Sequence, residues 1–209
     1  MEKKIFGSVC LVLGIAILVT TGTSFAYFSA SAVPDINTIN GTTMNFGVDL
    51  EVTTIYKATQ LIPVSDEYID EAISKETNKC IDSKGYQVCT LYNVLLTNSG
   101  EPTIINGYLK TIDTEYITDN LRCQLFDEDY NAVSDVMIIS KNPNQEAYFM
   151  NNNNMFNMTL GINVEKKYYL VIWLYETGYL QNDDYSKNFT GSIGFENIGG
   201  GKIEAIFPS

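Results

Sequence analysis

Strict alternation of apolar and polar residues recurs along this chain and commits it to half-buried β-strands. Met44, Phe46, Val48, Leu50 and Val52 alternate with polar residues or Gly. Phe156, Met158, Leu160, Ile162 and Val164 do the same, as do Phe189, Gly191, Ile193 and Phe195. A period of two places each set on one face of an extended strand, which a helical repeat of 3.6 cannot do. One run departs from the pattern. Residues 168–175, YYLVIWLY, are apolar at every position, as suits a central strand covered on both faces.

Further strand signals lie over residues 86–98, 103–112, 121–126, 133–140, 167–177 and 202–207. The breaks between strands are turn chemistry: Asn98-Ser99-Gly100, residues 141–144 and 151–154, Gly178, and the three glycines at 199–201. Eight or more short strands in 209 residues predict an all-β fold, an antiparallel β-sandwich of jelly-roll or Ig-like kind spanning residues 44–209. One short helix is predicted after Pro63. Ser65 would cap it, acidic residues would fill its first turn, and Tyr68, Ile69 and Ala72 would face inward. It opens an insert near residues 65–89.

The first 26 residues read MEKKIFGSVCLVLGIAILVTTGTSFA. Lys3 and Lys4 precede an apolar core over 11–19. Ser24 and Ala26 then flank Phe25 as the small residues of a signal-peptidase site, with the cut before Tyr27. A second small-x-small triplet, Ala30-Ser31-Ala32, offers another cutting position. The apolar run over 5–19 is shorter than the about 20 residues a transmembrane helix needs. A cleavable signal helix followed by secretion is therefore preferred to an uncleaved anchor extended through Phe28. Only an uncleaved leader would touch a membrane. Cys10 precedes the apolar run, where a lipidated cysteine would follow it. No glutamate lies between Ser8 and Ser24, as a pilin-like leader would require.

Composition removes most catalytic chemistry. The chain has no histidine, so the commonest general base and transition-metal ligand are missing. Arg122 is the one arginine, which leaves no arginine clamp for phosphate or carboxylate. An enzyme is not expected, nor a cofactor. The net charge of −12 repels phosphate backbones and argues against nucleic-acid binding. Acidic loops at 127–129 and 182–184 offer oxygen ligands for calcium but lack EF-hand spacing, and a solvated loop is the plainer reading. The Gly199-Gly200-Gly201-Lys202 stretch lacks the spacing of a phosphate loop. In a chain so rich in Asn, the sequons at Asn40, Asn157 and Asn188 carry little information.

Cys80 and Cys89 flank a hairpin turn at Asp82-Ser83-Lys84-Gly85, and in an exported chain a disulfide across it is the default pairing. Cys123 is then left over, either buried and inert, in a different pairing, or in an intermolecular link.

With these residues in view, the N-terminal third resembles a known family. A Lys-bearing leader ends in Gly22-Thr23-Ser24-Phe25-Ala26-Tyr27-Phe28-Ser29. A short polar stretch follows, then Gly41-Thr42-Thr43-Met44-Asn45-Phe46-Gly47-Val48-Asp49-Leu50. Both segments are similar to those of the TasA/camelysin-like exported proteins, whose leaders are removed by a SipW-type signal peptidase. The resemblance implies a jelly-roll-like sandwich, secretion, and a role at the cell surface or in a biofilm matrix. It also implies self-association or assembly with related matrix subunits, in which the freed N-terminal segment (27–43) adds a strand to the next subunit. Phe28, Ala30 and Ala32 alternate with serines and would form the apolar face of that donor strand. The alternatives are a frayed arm or a first strand paired within its own domain. The metallopeptidase activity ascribed to camelysin-type relatives is not carried over, because no metal triad exists. The insert near 65–89 also departs from the family pattern.

Two function classes remain. The first is an exported structural protein that polymerises. The second is a surface-displayed binding module, an adhesin or glycan binder, using the loop over 175–185, YETGYLQNDDY. There Tyr179, Asp183, Asp184 and Tyr185 could stack on and hydrogen-bond a ligand.

Overall fold

Alternation becomes strand where the apolar face finds cover. The strands are β1 (Val48–Tyr56), β2 (Cys89–Asn98), β3 (Thr103–Thr114), β4 (Leu121–Phe126), β5 (Met137–Ile138), β6 (Glu146–Tyr148), β7 (Asn157–Leu160), β8 (Val164–Leu174), β9 (Phe189–Asn197) and β10 (Lys202–Ile206). The structure is a computed structural model that describes residues 47–58, 61–74, 77–184 and 187–207. The signal segment, its cleavage residues Ser24, Ala26 and Tyr27, and the donor-strand residues Phe28, Ala30 and Ala32 lie outside the described residues.

Two antiparallel sheets pack face to face. The first has the order β1-β2-β8-β4-β5; the second has β7-β3-β9-β10, with β6 also pairing with β3 beyond β7. The chain crosses between sheets at the β2–β3, β3–β4, β5–β6, β7–β8 and β8–β9 connections. Short ribbons, Ile73–Ser74 with Lys79–Cys80 and Met150–Asn151 with Asn154–Met155, stand outside both sheets. The fold is an all-β antiparallel sandwich.

The inter-sheet core is built from the inward sets of the alternating strands. Leu50, Val94, Leu96, Leu125, Leu170 and Ile172 from the first sheet meet Ile105, Leu109, Leu160, Ile193 and Phe195 from the second. Each such side chain contributes about 1.5–3 kcal/mol by leaving water. The doubly apolar strand is β8, central in its sheet between β2 and β4. Its even residues 168–174 face the inter-sheet core, while Tyr169, Val171 and Trp173 face a second apolar layer on the outer side.

The insert supplies that second layer. Val64, Ile69, Ala72, Ile73, Cys80 and Val88 close over Leu91, Phe126, Tyr169, Val171 and Trp173. Its helical part is a 3-10 turn over Asp66–Tyr68 that runs into helix α1 (Ile69–Ala72). Ile69 and Ala72 are buried as predicted, but Tyr68 is half exposed, because the tighter 3-10 turn rotates it off the inward face. Ser65 precedes the turn without a side-chain capping bond.

Asp66 fastens the insert to the sheet. Trp173 Nε1 donates to its Oδ1 at 3.0 Å, and Arg122 Nη1 donates to its Oδ2 at 2.6 Å. The guanidinium also lies 3.8 Å from the centre of the Tyr175 ring. The sole arginine therefore does clamp a carboxylate, one within the chain itself and 56 residues away.

Cys80 and Cys89 form the expected disulfide, with Cα atoms 5.4 Å apart. The turn between them is closed by Gly85 N donating to Asp82 O at 3.0 Å, with Gly85 at φ 86°. Replacing both cysteines by serine is expected to cost about 2–3 kcal/mol through the released loop entropy, measured as a fall in the urea midpoint at unchanged slope.

Two strand readings are corrected. The run over 156–164 is one alternating pattern in sequence but two strands in different sheets. Leu160 ends β7, residues 161–163 form a turn with Asn163 at φ 56°, and Ile162 is half exposed. The cause is Asn98, fully buried, whose Nδ2 donates to Leu160 O at 3.2 Å and Gly161 O at 2.9 Å. Between 133 and 140 only Met137–Ile138 forms strand. Ser134 takes over the edge of β4 with its side chain instead, its Oγ accepting from Leu125 N at 3.0 Å.

Candidate functional site

The loop over 175–184 turns back on itself before it meets its neighbour. Gln181 Nε2 donates to Tyr175 O at 2.9 Å, and Thr177 N donates to Gln181 Oε1 at 3.3 Å. Gly178, at φ 75°, makes the reversal. Of the four residues proposed for ligand contact, the structure separates the first three. Tyr179 is 87% exposed at the tip. Asp183 is exposed. Asp184 is fully buried. Tyr185 lies outside the described residues.

Asp184 is a joint between loops and does not present itself to a ligand. Thr118 Oγ1 donates to its Oδ1, while Asn120 Nδ2 at 2.6 Å and Gln181 Nε2 at 3.4 Å donate to its Oδ2. Three donors around one carboxylate meet most of the acceptor capacity of the anion. Burial, then the nearby Asp184 and Glu115 charges, hold the Tyr116 phenol well above its ordinary pKa. Tyr175 is half-buried under the Arg122 guanidinium, so its ring is taken.

The other acidic loop is likewise folded onto itself. Asp127 Oδ1 accepts from Asp129 N and from Asn131 N, each at 2.9 Å, and holds Tyr130 in the left-handed region at φ 63°. Tyr130 stacks on Tyr169 with ring centres 4.4 Å apart. Among the described residues, no three His, Cys, Asp or Glu side chains gather as a metal site would require.

The outer face of the second sheet carries a paired polar network. Tyr148 Oη donates to Glu196 at 2.5 Å, Lys202 reaches Glu146 at 2.8 Å, and Ser192 Oγ donates to Glu204 at 2.8 Å. The hydrogen bond to Glu196 raises the Tyr148 pKa, and that to Glu146 raises the Lys202 pKa. Tyr108 lies flat across Gly194, where a Cβ would come within 2.2 Å of its ring.

Cys123 is fully buried in the inter-sheet core as the free cysteine of the described residues. Burial keeps its thiol protonated, far above the ordinary range. A chain beginning at Tyr27, which lacks Cys10, is expected to show no thiol reactive towards a disulfide reagent at pH 8 while folded and one when denatured.

One more geometry bears on function. Among the described residues, β1 pairs only with β2 and β10 only with β9, so each is an edge. The two edges lie against each other on the same side of the sandwich.

No family model matches the chain, and no curated protein matches it. Among solved structures, it is similar to AvmM, described as catalysing macrocyclization in alchivemycin A biosynthesis, at 10% identity and TM-score 0.38, over 84% of this chain and 95% of that one. It is also similar to the Northeast Structural Genomics Consortium target SoR45, at 13% identity and TM-score 0.26, over 79% and 84% of the two chains. A third is the PA14 domain of the MpAFP antifreeze protein, at 11% identity and TM-score 0.24, over 88% and 84%. Likenesses this distant say nothing about what the chain binds or catalyses.

Proposed function

We propose that the chain is an exported structural protein of a cell surface or biofilm matrix, assembling by strand addition from its freed N-terminus. The observation that carries this reading is where the N-terminal arm meets the sandwich. In sequence it leads into Val48, the first residue of the edge strand β1, a strand that lies against the second edge β10. An arm whose sequence alternates apolar and polar residues, joined to an edge strand, would suit addition to a neighbour's sheet. The Cys80–Cys89 disulfide suits an oxidising, extracellular setting. A SipW-type signal peptidase would free the arm by cutting before Tyr27, and the partners would be further copies or related matrix subunits.

The test is N-terminal sequencing of protein exported by its native host, together with sedimentation of the same material. A start at Tyr27 in sedimenting polymer is expected. A chain retaining its leader, or a strictly monomeric exported chain, contradicts the reading.

A further inference from the structure

The loop end of the sandwich carries an apolar tip that neither sheet uses. Tyr179 is 87% exposed, Leu180 74% and Ile117 67%. Ile117 is next to Thr118, and Leu180 is next to Gln181, so both lie one residue from the side chains that bind the buried Asp184 carboxylate. The loops over 115–120 and 175–184 are thus locked together by a satisfied buried network, while their large apolar side chains point to water. A tip whose backbone is fixed in advance pays little ordering cost on binding; Tyr is a residue type enriched at contact hot spots, and Ile117 and Leu180 add apolar area beside it.

The charge around the tip selects the partner. Glu115, Asp119, Glu176 and Asp183 are exposed on these loops. Asp119 is paired with Lys141 at 3.3 Å, and Lys187 is the remaining cation on the described residues of the loops over 115–120, 139–145 and 176–188. The rim is therefore negative on a chain of net charge −12. That disfavours an anionic membrane surface and a second copy presenting the same face.

We infer that this tip docks a cationic polypeptide, its apolar residues packing against apolar side chains flanked by Lys or Arg. The inference stands whether or not the N-terminal arm adds to a neighbouring sheet, since it rests on Ile117, Tyr179 and Leu180, which belong to neither β1 nor β10.

The test uses the full exported chain and its Tyr179→Ser/Leu180→Ser variant, whose changes fall on exposed positions and leave the Asp184 network intact. Fluorescence anisotropy follows a labelled peptide of alternating Lys and Leu. Its Glu/Leu and Lys/Ser counterparts, and equimolar phosphatidylcholine–phosphatidylserine vesicles, serve as competing probes. The Lys/Leu peptide is expected to bind, with an affinity loss of about tenfold or more in the variant and weakening as salt rises. Equal binding by wild type and variant overturns the inference. So does equal binding of the Lys/Ser or Glu/Leu peptide, or vesicle binding that the variant loses. Filament formation by the variant is expected to be unchanged, which separates this result from the assembly reading.

Discussion

Trp173→Ala is expected to lower stability by about 3–5 kcal/mol, the usual cost of emptying a fully buried aromatic site. For a domain of this size that is a fall in Tm of about 10 °C. Trp173 is fully buried and sits opposite Cys89 across the β2–β8 pairing. It holds the insert in two ways, by filling the outer apolar layer and by donating to Asp66. Trp173→Phe keeps most of the packing and loses the hydrogen bond, so a smaller cost of about 1–2 kcal/mol is expected. Far-UV circular dichroism melts measure both, since the only tryptophan is the one removed. A cost below about 1 kcal/mol for the alanine variant would mean that the insert does not cover the sheet as described.

Asp184→Ala is the second large effect. Removing the carboxylate strands the hydroxyl of Thr118 and the amide of Asn120 in a partly buried site, while Gln181 Nε2 keeps its bond to Tyr175 O. Unsatisfied buried donors cost about 1–3 kcal/mol each, partly recovered by relaxation, so a total of about 3–4 kcal/mol is expected. Its neighbour supplies the control. Asp183 is exposed, and Asp183→Ala should change stability by no more than about 0.5 kcal/mol. Urea titrations give both values, and hydrogen exchange should show amides of 115–120 losing protection only in the Asp184 variant. Equal effects at the two positions would undo the assignment of Asp184 as the joint between loops.

The contrast between these adjacent aspartates shows where sequence reading stops. Nothing local distinguishes Asp183 from Asp184, because the partners that bury Asp184 lie 64 and 66 residues away. The same holds for Arg122, whose carboxylate partner is 56 residues distant. Strands, in contrast, are written in local period. The pattern over Leu121–Phe126 has the bounds of the strand, and YYLVIWLY carries the two apolar faces of β8 without reference to the layers that cover them. Period failed at Ile162 because a turn fixed by the buried Asn98 interrupts a pattern that is locally perfect. The disulfide was legible because its turn is local, and the inward residues of the helix were legible except where a 3-10 turn displaced Tyr68.

Assembly through the freed N-terminus is the central claim, and one comparison tests it most directly. Electron micrographs would be taken of the exported chain beginning at Tyr27 and of the same chain lacking residues 27–40, at equal concentration and ionic strength. Loss of the arm leaves the described sandwich, which begins at residue 47, intact, so both should give the same far-UV spectrum. The account expects filaments from the first and dispersed particles from the second. Filaments of equal abundance and width from the shortened chain would contradict it.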